Sequence, residues 1–325
     1  MTDKIYGNEF ALKTFSSMTE SGRIPHSFLI YGEKGLGKKT LAEYLAMLLL
    51  CDKNGDKPCG ECHSCIIAQN KSHPDIIYPE QSGKLNTYTV ETCRRICADA
   101  FVAPNNGDKK VYIFADCDNI QLSAQNALLK IVEEPPESVY FIFTAESKDA
   151  FLPTILSRVT SIGVSPVSED ECKAALALRN FDDSQIKLAV EAFGGNIGMC
   201  VEYIENPQLQ AITALTKRAM DSIIIKDEYG LLKALSDPEL KERPLVLAFL
   251  KQLDRVIRDS VVLRYNENVS LTGCYKSGAI KLSERISVKS AMKMHKCLDE
   301  ASESVKTNVS LALLLSALCG EIIDS

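Results

Sequence analysis

The chain has 325 residues, 46% apolar and 25% charged, the composition of a folded globular protein long enough for roughly two domains of about 150 residues. Lys plus Arg number 37 against 43 Asp plus Glu, a net charge of −6, which argues against a dedicated nucleic-acid binder driven by phosphate neutralisation. Apolar runs such as Leu45 to Cys51 and Leu311 to Leu315 fall short of the ~20 residues of a bilayer span, and the opening MTDKIYGNEF carries no signal-peptide apolar core; a cytoplasmic protein with no membrane contact is expected.

Residues 28–31 (FLIY) read as a buried strand entering a glycine cluster, after which Lys38 to Leu50 sets apolar residues at 41, 42, 45, 46, 48 and 49, the spacing of a helix. Two further buried strands are predicted at 111–115 (VYIFA) and 139–143 (VYFIF). Between them SAQNALLKIVEE places Ala124, Ala127, Leu128, Ile131 and Val132 on one helical face, and Pro135 and Pro136 end that helix. Alternating strands and helices over residues 1–165 predict an α/β domain, a parallel sheet covered by helices. Beyond Pro166 the pattern is helical, with a small helical domain at 166–209 and a larger one at 210–325.

Gly32-Glu-Lys-Gly35-Leu-Gly37-Lys38 fits a phosphate loop, in which backbone N–H groups and a helix N-terminus surround phosphates and the lysine reaches the terminal ones. The position of the Mg²⁺-binding hydroxyl is Lys39, a cation, and the nearest hydroxyl, Thr40, lies about 100° further round the helix. The second strand ends in Asp116-Cys117-Asp118, where an ATPase of this design carries Asp for the metal and Glu for the attacking water. A thiol with an ordinary pKa of about 8.5 does not replace that carboxylate. Two departures in one site predict a degenerate nucleotide site, in which Lys38 leaves binding open; the alternative is an active motor with Thr40 on the metal and Asp118 on the water.

Four of the twelve cysteines cluster as Cys51, Cys59, Cys62 and Cys65, C-x7-C-x2-C-x2-C. Four soft ligands that close tetrahedrally suit a structural Zn²⁺; an iron–sulfur cluster is the rival, without its usual Cys-Pro. His63 lies among the ligands as a surface residue able to substitute for one, whereas His26 and His73, each beside a proline, read as positioned loop residues. The other eight cysteines read as small residues among apolar neighbours.

RIPHSFLIYG (23–32), the glycine loop, the four-cysteine insertion, HPD (73–75), NALLKIVEEPP (126–136) and LPTILSR (152–158) follow one another in this order. Over about the first 165 residues this series resembles the clamp-loader subunits of bacterial DNA polymerase III, within the AAA+ superfamily. Two kinds of subunit are candidates, the ATPase gamma/tau and the non-ATPase delta prime. Lys39, Cys117 and a Gly194–Gly198 stretch without arginine favour the latter. The resemblance implies that Ser157-Arg158 supplies an arginine finger in trans to the ATP site of a neighbouring gamma/tau subunit. Further implied are gamma/tau and delta partners in a hetero-pentamer, the beta sliding clamp and primer-template DNA reached through that complex, and a role in replication without intrinsic catalysis. It also makes 166–209 a lid and 210–325 an oligomerising collar, with apolar helices at 245–263 and 309–318. A third reading, a zinc-dependent DNA-binding module, is disfavoured by the net charge.

Overall fold

The computed structural model describes residues 5–53, 55–82, 86–266 and 271–325 as two compact units, one ending at Ser165 and the other starting at Pro166. In the first, α1 (Glu9–Glu20), β1 (Ser27–Tyr31), α2 (Lys38–Leu50), α3 (His63–Gln69), β2 (Ile76–Ile77), α4 (Val90–Asp99), β3 (Lys110–Phe114), α5 (Leu122–Glu133), β4 (Val139–Ala145), α6 (Pro153–Leu156) and β5 (Thr160–Gly163) follow in order. The five strands form a parallel sheet, order β2-β3-β4-β1-β5.

The two-residue side-chain period of a strand divides these residues between two cores. Phe28, Ile30, Val111, Ile113, Tyr140 and Ile142 face one with α1 and α2. Leu29, Tyr112, Phe114, Phe141 and Phe143 face the other with α4 and α5. Because both faces are covered, the strands read as continuous apolar runs. The expected α2 has the predicted bounds, and α5 ends at Glu133, two residues before Pro135.

Polar ties fix the sheet's edges. Lys110 is buried and its Nζ donates to the carbonyls of Asp99 (3.2 Å) and Val102 (3.1 Å), holding the C-terminus of α4, where a cation satisfies unpaired carbonyls. Asp75, the last residue of HPD, is fully buried and accepts from the Asn105 N–H (2.6 Å), Asn105 Nδ2 (3.1 Å) and the Asn106 N–H (2.6 Å). The loop before β2 is thereby tied to the loop before β3. His73 Nδ1 accepts from the Asp75 N–H at 3.1 Å, and His26 Nδ1 lies 2.8 Å from the Val139 carbonyl, so both histidines serve their loops.

The second unit is helical among the described residues: α7 (Glu169–Ala177), α8 (Asp183–Phe193), α9 (Ile197–Glu205), α10 (Pro207–Ile225), α11 (Glu228–Leu235), α12 (Arg243–Val262), α13 (Lys276–Arg285), α14 (Val288–Val305) and α15 (Leu311–Ile323). Its buried residues make one cluster from Cys172 to Ile322. Ser168 and Glu171 form a reciprocal capping box that starts α7. Beside it the Val167 N–H donates to the Gly195 carbonyl (3.1 Å), and a Cβ at Gly195 would lie 1.7 Å from the Val167 oxygen. Gly195 is thus a close backbone approach, and Gly194 before it has a φ of 54°. No helix among the described residues is long and apolar enough to cross a membrane.

Asp75→Ala removes the buried acceptor of three donors from the loop at the exposed Asn105 and the half-buried Asn106; a loss of about 1–2 kcal/mol is expected, read as a lower urea midpoint with an unchanged slope.

Candidate functional site

The loop between β1 and α2 lies at the C-terminal edge of the sheet, where open parallel sheets bind ligands. The Gly32 N–H donates to the Ala145 carbonyl at the end of β4 (3.1 Å), and a Cβ at Gly32 would meet the Val164 carbonyl oxygen at 2.6 Å. Gly35 and Gly37 have φ of 87° and 81°, a region that disfavours any side chain. Gly37 caps α2 with no side-chain hydrogen bond, so the helix N-terminus presents backbone N–H groups as an anion site does.

Lys38 is 7% exposed, and its Nζ donates to the carbonyls of Gly32 (2.8 Å) and Glu33 (3.0 Å). The loop's lysine is folded onto the loop's own backbone. Lys39 is exposed and points elsewhere, its Nζ 5.6 Å from the centroid of the Tyr78 ring, a cation–π distance. Thr40 is half-buried.

Asp116 follows β3 with φ 52°, exposed, its N–H donating to Thr144 Oγ1 at 2.9 Å. That left-handed residue turns the chain into a short 3-10 turn, Cys117–Asn119. Cys117 is 0% exposed, packed in the core under α5, with Sγ 3.3 Å from the Phe114 carbonyl. Burial pushes its thiol well above the ordinary range. The sequence reading set this thiol in a carboxylate's place at the nucleotide; the fold goes further and turns it away into apolar packing. Asp118 is exposed, and its Oδ1 accepts from the Glu146 N–H at 2.6 Å.

Arg158 follows α6, its N–H on the Ile155 carbonyl (2.9 Å). What orients α6 is Gln125, 1% exposed on α5: its Oε1 accepts from the Leu152 N–H (2.7 Å) and its Nε2 donates to the Ala150 carbonyl (2.9 Å). The Arg158 guanidinium donates to the Thr154 carbonyl (2.9 Å), Ser157 Oγ (3.0 Å) and Glu133 Oε1 (2.9 Å). Thr144 and Gln125 carry no motif signal of their own, Glu133 lies in the NALLKIVEEPP stretch without a role assigned to it there, and only the fold brings the three to these positions.

Cys51 ends α2 and Cys62 caps α3, so two helix ends deliver the thiols. The four Sγ atoms of Cys51, Cys59, Cys62 and Cys65 lie within 4.8 Å of one another, with 4.0 Å between Cys59 and Cys65. A tetrahedral Zn–S₄ centre has S···S of about 3.8 Å, so the group could hold a metal ion. The N–H groups of Cys59, Cys62 and Cys65 donate to Sγ of Cys51, Cys59 and Cys62 at 3.5, 3.4 and 3.4 Å. Hydrogen bonds from the backbone of Glu61 and Cys62 lower the Cys59 thiol to about 6, whereas burial raises that of Cys65. His63 is exposed and outside the four. Apart from the ligands, only Met47 and Ala68 join this small cluster. The remaining eight cysteines are free thiols, buried except for the half-buried Cys97 and Cys297.

The first unit thus has the architecture of an α/β domain with a parallel sheet, a phosphate-type loop and a four-thiol insertion. Residues 7–168 match the family described as DNA polymerase III, delta subunit. The DNA polymerase III subunit delta' of Escherichia coli is 31% identical over 236 residues, 71% of this chain and 70% of that protein. Subunit delta' of Haemophilus influenzae is 37% identical over 147 residues, 45% and 44% of the two chains. Subunit gamma/tau of Mycobacterium bovis is 32% identical over 201 residues, 59% of this chain and 34% of the relative. The chain belongs to the DNA polymerase III delta' family, which is related to gamma/tau. Its matched part spans less than half of the Haemophilus and Mycobacterium relatives.

Cys117→Glu would bury a carboxylate among Phe114, Ile120 and Leu128; a loss of several kcal/mol, on the order of 3 or more, is expected, seen as a melting point well below that of Cys117→Ser.

Proposed function

We infer that the chain is a clamp-loader subunit of DNA polymerase III that does not hydrolyse ATP and completes a neighbour's ATP site with Arg158. The observation that carries this is a contrast within one unit: the place of the hydrolytic carboxylate holds Cys117, sealed in the core, while Arg158 is 34% exposed on its side chain and oriented by its own turn. A guanidinium set against a transferring phosphoryl group stabilises the developing charge and is worth ~10³ or more in rate. Ser157 supports it through Oγ.

Gly32, Gly35, Gly37 and Lys38 remain a phosphate cradle able to take ATP once Lys38 leaves the loop carbonyls. Lys39 in the hydroxyl position leaves Mg²⁺ with Asp116 but without its hydroxyl ligand, and Cys117 directly after Asp116 leaves the water without its carboxylate. The motor reading needs Asp118 to orient water, and one of its oxygens, Oδ1, already accepts from the Glu146 N–H. The subunit would act as the fixed end of a hetero-pentamer with gamma/tau and delta, with 166–209 as lid and 210–325 as collar. With a net charge of −6, the grip on primer-template DNA and on the beta sliding clamp falls to the assembled ring.

The four thiols would hold a structural Zn²⁺: every ligand position is filled by protein, which leaves no open site for chemistry. The metal would supply cross-linking of the insertion, nothing more.

In a complex reconstituted with gamma/tau and delta, Arg158→Ala is expected to slow clamp loading by about tenfold or more, while Lys38→Ala leaves it within about twofold of wild type. The chain alone is expected to show no Mg²⁺-dependent ATP turnover; turnover abolished by Lys38→Ala would make it a motor. Metal analysis is expected to give about one zinc per chain, lost in Cys62→Ser, with the four thiols reactive to a thiol reagent only after chelation.

A further inference from the structure

Arg158 does not present a free charge. Two of its contacts, to the Thr154 carbonyl and Ser157 Oγ, lie on its own turn and are made by NH1; the third runs from NH2 to Glu133 Oε1 at 2.9 Å, 25 residues earlier in the chain. Glu133 is the last residue of α5, immediately before the Glu134-Pro135-Pro136 break. The two side chains are 34% and 54% exposed.

These contacts do different jobs. The NH1 pair fixes where the guanidinium sits, because both acceptors move with α6. The NH2 contact sets the charge an incoming anion meets: beside the Glu133 carboxylate the pair is neutral overall, and a phosphate approaching NH2 meets a second anion at hydrogen-bond range. Phosphate and carboxylate compete for the same edge of the guanidinium fork.

We propose that Glu133 is a latch on Arg158, a positioning residue that neutralises the guanidinium until the terminal phosphate of a nucleotide in the adjoining subunit displaces it. This rests on the reading of Arg158 given above. When the latch opens, the NH1 contacts hold the guanidinium in place and the phosphate takes over its NH2 edge, leaving the Glu133 carboxylate in solvent. Engagement is thereby selective for a triphosphate, because a diphosphate lacks the terminal charge that competes with the carboxylate. Partly exposed ion pairs have the strength this needs: firm enough to bias the side chain, weak enough for a phosphate to break.

The test uses the reconstituted complex. Glu133→Gln keeps the shape and the Oε1 acceptor but removes the charge; Glu133→Ala removes both. Both are expected to lower KM for ATP by about two- to fivefold, the size an ion pair this exposed carries, with kcat unchanged, a gain that shrinks as salt is raised. In an Arg158→Ala background, Glu133→Gln is expected to change nothing. If Arg158→Ala slows the complex but Glu133→Gln leaves KM unchanged or raises it, the latch is wrong and the finger stands. A KM gain from Glu133→Gln that persists without Arg158 also overturns the latch. If Arg158→Ala has no effect, the finger reading falls and the latch with it.

Discussion

Strand β4 pairs with β1 on one side and β3 on the other, and all seven of its residues are buried. Its C-terminal end is the anchor for everything at that edge of the sheet. The Ala145 carbonyl takes the Gly32 N–H, Thr144 Oγ1 takes the Asp116 N–H, and the Glu146 N–H reaches back to Asp118. Two separate stretches of chain, the glycine loop and the turn after β3, are thus registered on three consecutive residues. The glycine loop and the end of β3 can neither drift apart nor close up without breaking hydrogen bonds at a buried strand end. The same anchoring explains the fate of the carboxylate positions: Asp118 is held by Glu146, and the turn that brings it there sends Cys117 inward.

Much of this was legible in the sequence. The apolar runs of β1, β3 and β4 are long, and α2 and α5 combine strong periodicity with unmistakable punctuation, a glycine loop before one and two prolines after the other. Strand β2 is only Ile76 and Ile77, and β5 is Thr-Ser-Ile-Gly; both join the sheet because partner strands offer free backbone groups, a reason no local pattern carries. The cysteine cluster was readable because all its ligands fall within fifteen positions, so spacing alone says they can meet.

The residues that refine the site were not readable for the opposite reason. Gln125 to Leu152, Glu133 to Arg158 and Asp75 to Asn105 are 25 to 30 positions apart, and nothing in either segment of a pair names its partner. Their pairing depends on how α5 lies on the sheet and where the chain returns to it. The inward turn of Cys117 likewise follows from the left-handed backbone at Asp116, and aspartate tolerates that conformation without announcing it.

The thiol insertion has a different kind of stability from the sheet beside it. Among the described residues its cluster is Met47, Ala68 and the four sulfur ligands, while the neighbouring cores draw on whole helix faces and three or four strands. If the proposed metal is bound there, the opening free energy of this segment would be set by metal activity more than by apolar burial. A copy without metal would then keep its sheet and lose its knuckle, and the supply of a trace element would bear on how long each copy survives.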